Sequence, residues 1–148
     1  MAGDYLRRST QPRDAIYIFG SEPEILFHAG RRSASRFIES YHQAGNYPDS
    51  ELRQAEVMEE IRKVRPRFIV VVLVPTSFMR WPPTEPQLAK ELQVMLRAEY
   101  EVVALTRSRA DGLVSWVEDS EACAEWQHRS IWYDRQEGEA SLVIWKRN

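Results

Sequence analysis

The segment IYIFGSEPEILFHAGRRSASRF, Ile16 to Phe37, decides how the chain is read. It opens on an apolar, β-rich run, bends at Gly20-Ser21 and passes straight into a helix-like run. Strand, glycine bend and helix make the start of an α/β unit. In many α/β enzymes such a bend cradles a phosphate on free amides at the helix N-terminus. The first question is whether this bend binds anything or only turns the chain.

Local chemistry favours turning the chain. Ala15–Phe19, bounded by Asp14 and Gly20, reads as the first strand. Ser21 and Glu24 have capping-box spacing, Pro23 suits a first helical turn, and Gly30 offers a left-handed C-cap. Together they predict a helix of about two turns. The bend lacks G-x-G-x-x-G and G-x-x-x-x-G-K-[ST], and Glu22 and Glu24 put negative charge where a phosphate would sit. In FGSEP, Ser21 also lacks the second glycine of a G-x-S-x-G nucleophile elbow.

Outward from this segment, TEPQ (Thr84 to Gln87) repeats the start signal ahead of a helix over 84–98 that turns Leu88, Leu92, Met95 and Leu96 to the core. SRFIES (35–40) predicts a short second strand and NYPDS a turn. Glu51 to Arg65 reads as a surface helix with Leu52, Ala55, Met58, Ile61 and Val64 on one face, ended by Pro66. Arg67 to Val74, apolar on both faces, predicts the central strand of a covered sheet, and YEVVALT (100–106) the next strand. The order β-α-β-α-β-α-β argues for a parallel sheet. SIWYDRQ and SLVIWKRN, flanking EGEA, predict an antiparallel hairpin closing one edge, after an irregular acidic segment over 107–129. The expected fold is therefore α/β: a three-layer, Rossmann-like, mostly parallel sheet with helices on both faces. Residues 12–148 would form a single domain, with 1–11 a lead-in suited to a link from a membrane helix.

Bulk composition bounds the function. The 148 residues suit one domain, and 43% apolar with 28% charged residues is ordinary for a soluble globular chain. A formal charge of −2 argues against non-specific nucleic-acid binding. Cys123 is the lone cysteine, which excludes an intramolecular disulfide. The longest apolar run, Phe68 to Val74, is far short of the ~20 residues that cross a bilayer, and MAGDYLRRSTQP has no apolar signal-peptide core.

Two groups of residues are candidate binding elements. Arg31, Arg32 and Arg36, with Ser21, could clasp an anionic group, since guanidinium forks bind phosphate and carboxylate bidentately. The competing role for the arginines is pairing with acids such as Glu24 or Glu39. Phe78, Met79 and Trp81 lie on a Pro-stiffened loop after the central strand. Such a loop offers a contact surface for a partner, a membrane interface or a sugar ring, or else folds back over the core. His28 reads as a packed or edge residue of its helix. Glu121, Glu125 and His128 would share a helical face but lack the paired His or Cys spacing of a zinc site, so they read as a solvated face. Trp116, Trp126, Trp132 and Trp145 are expected in the core and the hairpin. The residues suggest no catalytic constellation, no metal site and no cofactor.

RDAIYIFGSEPEILFHAGRRSASRFI, with the lead YLRRSTQPRDAIYIFG before it and PRFIVVV and LVIWKR after it, resembles a recurring segment of bacterial multi-spanning glycosyltransferases of the GT-C class. These are akin to dolichyl-phosphate-mannose protein mannosyltransferases and aminoarabinose transferases. The likeness spans nearly the whole chain in order. It implies a C-terminal soluble domain outside the cytoplasmic membrane, in a parent that transfers sugar from a polyprenyl-phosphate carrier. The partners implied are the membrane-embedded portion of the same or another polypeptide, and a polyprenyl-phosphate sugar or glycan acceptor. The acidic residue that serves the family as catalytic base lies in a loop between early membrane helices, so no catalytic residue is carried over. The motif residues that carry the likeness are Gly20, Glu22, Arg31, Arg32, Ser35 and Arg36. Against this accessory-domain reading stand two others: a free-standing α/β enzyme or nucleotide- or phosphate-sugar-binding protein using the Gly20-Ser21 crevice, and an interaction module dimerising through Phe78–Trp81 or the hairpin edge.

Overall fold

The computed structural model describes residues 1–44, 47–78, 85–108, 111, 113–132 and 140–148. The fold is α/β. Six strands form one sheet in the order β2-β1-β3-β6-β4-β5: β1 (Ala15–Phe19), β2 (Arg32–Ser33), β3 (Phe68–Val72), β4 (Tyr100–Ser108), β5 (Val114–Val117) and β6 (Ala140–Arg147). β1 pairs in parallel with β2 and β3, while β6 runs antiparallel to both β3 and β4, and β5 antiparallel to β4. β2, β1, β3 and β4 therefore point one way.

Strand alternation divides the core into two. Tyr17, Phe19, Ile69, Val71 and Trp145 face α4 (Ser50–Val64), which follows the single turn α3 (Tyr41–Ala44), and α5 (Gln87–Glu99) and α6 (Ser120–Trp126). Ile16, Ile18, Phe68, Val70 and Ile144 face α1 (Ala2–Ser9) and α2 (Glu24–Ala29). β1 and β3 are buried along their whole length, as strands covered on both faces must be. Each large side chain sealed between layers contributes about 2 kcal/mol. The lead-in forms a full helix, with Leu6 inaccessible to solvent and Tyr5 edge-on to Phe68 at 6.3 Å.

The structure departs from several of these expectations. The short second strand is Arg32–Ser33 rather than residues 35–40. Ser33 Oγ accepts from the Ser35 amide and Ser35 Oγ from the Phe37 amide, so these amides are engaged in local turns instead of a ladder. No Ser21 cap forms: the N-cap of α2 is Pro23, with no side-chain cap, whereas Gly30 closes the helix at φ 64° as expected. The buried face of α4 is Gln54, Val57, Met58 and Ile61, rotated from the expected stripe and leaving Leu52 and Val64 exposed. Gln54 tolerates burial because its Nε2 donates to the Gln43 carbonyl at 2.7 Å and its Oε1 accepts from the Leu88 amide at 2.9 Å.

The C-terminal strand is antiparallel, as expected, but it is not at an edge. β6 is inserted between β3 and β4, and Val143, Ile144 and Trp145 are buried on its two faces. Ser130 to Trp132 do not pair as a strand, and the rest of SIWYDRQ lies outside the described residues. Ile131 instead donates its amide to Gln93 Oε1 at 2.7 Å under the core. The segment expected to be irregular contains β5, paired with β4 from Leu105–Val117 to Ser108–Val114. It also contains α6, capped by Asp119 Oδ1 accepting from the Glu121 and Ala122 amides at 3.0 Å.

Candidate functional site

The carboxyl ends of β1 and β3 open onto the glycine bend. Gly20 donates its amide to Ser40 Oγ at 3.0 Å, and the Ser40 amide returns a bond to Ser21 Oγ at 3.1 Å. Glu22 turns inward: Ser77, on the 3₁₀ turn Pro75–Phe78 after β3, donates its hydroxyl to Glu22 Oε1. Oε2 is buried and has no partner among the described residues. Burial pushes the Glu22 carboxyl above its ordinary range, with the Ser77 hydroxyl pulling the other way.

The glycine is required here by close approach. A Cβ at Gly20 would stand 2.5 Å from Glu22 Oε2 and 2.6 Å from Val72 Cγ2. The bend thus brings a carboxyl and three serine hydroxyls together. Such a cluster can exchange hydrogen bonds with hydroxyl groups, but a phosphate in it would meet Glu22, and the Gly20 amide is already bonded.

The arginines proposed beside Ser21 do not gather around it. Arg31 lies between the ends of α1 and α2, where its guanidinium donates to Thr10 Oγ1 and to the carbonyls of Ala29, Gly30, Arg7 and Thr10 at 2.8 to 3.1 Å. Arg36 forks onto Glu56, Nε to Oε1 at 2.5 Å and Nη2 to Oε2 at 2.7 Å, and covers the Phe37 ring at 4.3 Å. That bond to Arg36 lowers the Glu56 carboxyl. Next to it Ser35 Oγ donates to Glu60 Oε2 at 2.6 Å. Arg32 is exposed, its side chain has no hydrogen bond or ion pair among the described residues, and it is at the other end of the sheet.

Of the apolar loop, Met79 and Trp81 lie outside the described residues. Phe78 is buried, packed between the tilted ring of Phe19 at 4.8 Å and the edge-on ring of Trp132 at 5.0 Å. β6 has both edges paired, so the terminal strand offers no free edge for a second copy. Glu125 binds Arg107 and Arg129, and His128 follows the end of α6. Among the described residues no group of His, Cys, Asp and Glu could hold a metal ion, and no helix is long and apolar enough to cross a membrane. Cys123 is buried, which raises its thiol.

The Glu22–Ser77 pair was not legible in the sequence, because it joins residues 55 positions apart. A second feature was legible in principle: arginines flank the strand ends at positions 13, 67 and 147, and alignment of those ends collects them. No family model matches the chain, and comparison with curated proteins and with solved structures finds no match either.

Proposed function

We propose that this chain is an accessory domain of a polyprenyl-phosphate-sugar-dependent membrane glycosyltransferase. It acts outside the cytoplasmic membrane to position acceptor, carrier headgroup or partner, and does not catalyse transfer alone. One observation carries the reading: the motif that resembles those enzymes is, Arg32 apart, spent on internal bonds. Gly20 and Ser21 are tied to Ser40, Arg31 clamps two helix ends, and Ser35 and Arg36 are fastened to α4. A segment used this way specifies the shape of a domain, which is what a signature recurring outside the catalytic membrane region does.

Tagging the native gene after Asn148, followed by fractionation and external proteolysis of spheroplasts, tests the proposal. The tag is expected in alkali-washed membranes, on a band much larger than 17.3 kDa or in complex with a membrane protein, and digestible from outside. A 17.3 kDa species confined to the soluble cytoplasmic fraction would overturn it.

A further inference from the structure

The amino ends of the parallel strands collect charges that the proposed role does not use. Arg13 stands two residues before β1, Arg32 opens β2, Arg67 immediately precedes β3, Arg65 caps α4, and Arg147 ends the antiparallel β6. Strand polarity delivers all five to one end of the sheet. They line a single cleft of about 420 Å³ in which Asp14 is the only acidic lining residue among the described residues. That volume lies in the range of small-molecule sites and exceeds what one phosphate fills.

The internal partners of this cluster leave much of it unspent. Asp14 Oδ2 is engaged by the Gln11 amide at 2.8 Å. Arg65 pairs with Glu99 at 2.9 Å, and Arg147 donates to the Arg65 carbonyl. Arg67 lies 5.7 Å over the Phe68 ring, with no carboxylate partner among the described residues. The Arg13 and Arg32 side chains are exposed and form no hydrogen bond or ion pair with the described residues. Five guanidiniums from four chain segments, with Glu99 paired to Arg65 and Asp14 bonded to the Gln11 amide, leave an excess of positive charge that repels itself. A multivalent oxyanion relieves that repulsion and supplies the paired acceptors that planar forks bind.

We propose that this cleft binds a phosphorylated ligand, with a diphosphate or phosphoester group as the part recognised. The inference stands on the cleft alone and does not require the membrane role proposed above.

Titration calorimetry of the 148-residue chain with inorganic pyrophosphate at low ionic strength tests it. Saturable binding of one pyrophosphate per chain is expected. Arg13→Ala and Arg32→Ala should each weaken it at least about tenfold, the size of one lost charge-assisted bond. Their urea midpoints should match wild type, since neither side chain is used internally. Arg8→Ala, an exposed arginine of α1 outside the cleft, should bind like wild type. Co-sedimentation with phosphatidylcholine vesicles, with and without phosphatidic acid, separates the two sources of such a group. Capture by the phosphatidic acid vesicles, reversed by pyrophosphate, marks a lipid headgroup; pyrophosphate binding without capture marks a soluble phosphate compound. Absence of both, or binding that the Arg13 and Arg32 variants leave within twofold, overturns the proposal.

Discussion

Arg31 offers the sharpest test of how the motif arginines are used. Its guanidinium makes five hydrogen bonds, to Thr10 Oγ1 and to the Arg7, Thr10, Ala29 and Gly30 carbonyls, and so joins the end of α1 to the turn after α2. Lysine keeps the charge but presents its donors from one point and reaches about two of those acceptors. About three bonds are lost, each with a net worth near 1 kcal/mol. Because the side chain is half-buried, water re-satisfies part of what is freed, and we expect Arg31→Lys to cost about 2–3 kcal/mol. For a chain of this size that lowers Tm by roughly 5–10 °C. Urea unfolding followed by tryptophan fluorescence measures the loss directly, and an unchanged m-value confirms that the two folded states are alike. Pyrophosphate binding should remain within twofold of wild type, because Arg31 is outside the arginine cleft. A variant as stable as wild type to within about 0.5 kcal/mol, or one that keeps its stability and loses pyrophosphate binding, would refute the clamp.

Two further outcomes follow from the glycine bend. Gly20→Ala forces a methyl against Glu22 Oε2 and the backbone-anchored Val72, and should destabilise by roughly 1–3 kcal/mol, so an unchanged thermal midpoint contradicts the packing described. Burial holds the Glu22 proton more tightly in the folded state than in the unfolded chain. Stability should therefore fall as pH rises from the ordinary glutamate value of 4.5 through the raised one, and Glu22→Gln should remove that decline. Parallel stability curves for wild type and variant between about pH 4 and 8 would show that Glu22 is not the source.

Local sequence rules located what local forces decide. Ala15–Phe19, the Gly30 cap and the central strand follow from β-branched runs, a left-handed terminus and an apolar run of strand length. The rotation of α4 was hidden because Gln54 reads as a surface residue; only its two distant partners, Gln43 and Leu88, make burial acceptable. The position of β6 was misread although its sequence held the clue. The run Leu142 to Trp145 is apolar on both faces, which fits an interior strand better than an edge. Arg31, Arg32 and Arg36 are neighbours in sequence but reach three different places, because a chain reversal and a two-residue strand separate them. The cleft shows the opposite case, in which residues far apart in sequence meet because parallel strands share an end.

The central seat of β6 carries a consequence for biogenesis. β3 and β4 share no ladder except through residues 140–147, so the sheet remains two separate halves until that final stretch has left the ribosome. Closure then depends on pairings between positions as distant as Phe68 and Lys146, which makes it a late and slow step. Nascent chains lacking the last strand would present two naked sheet margins to one another and to neighbouring chains, a hazard for aggregation.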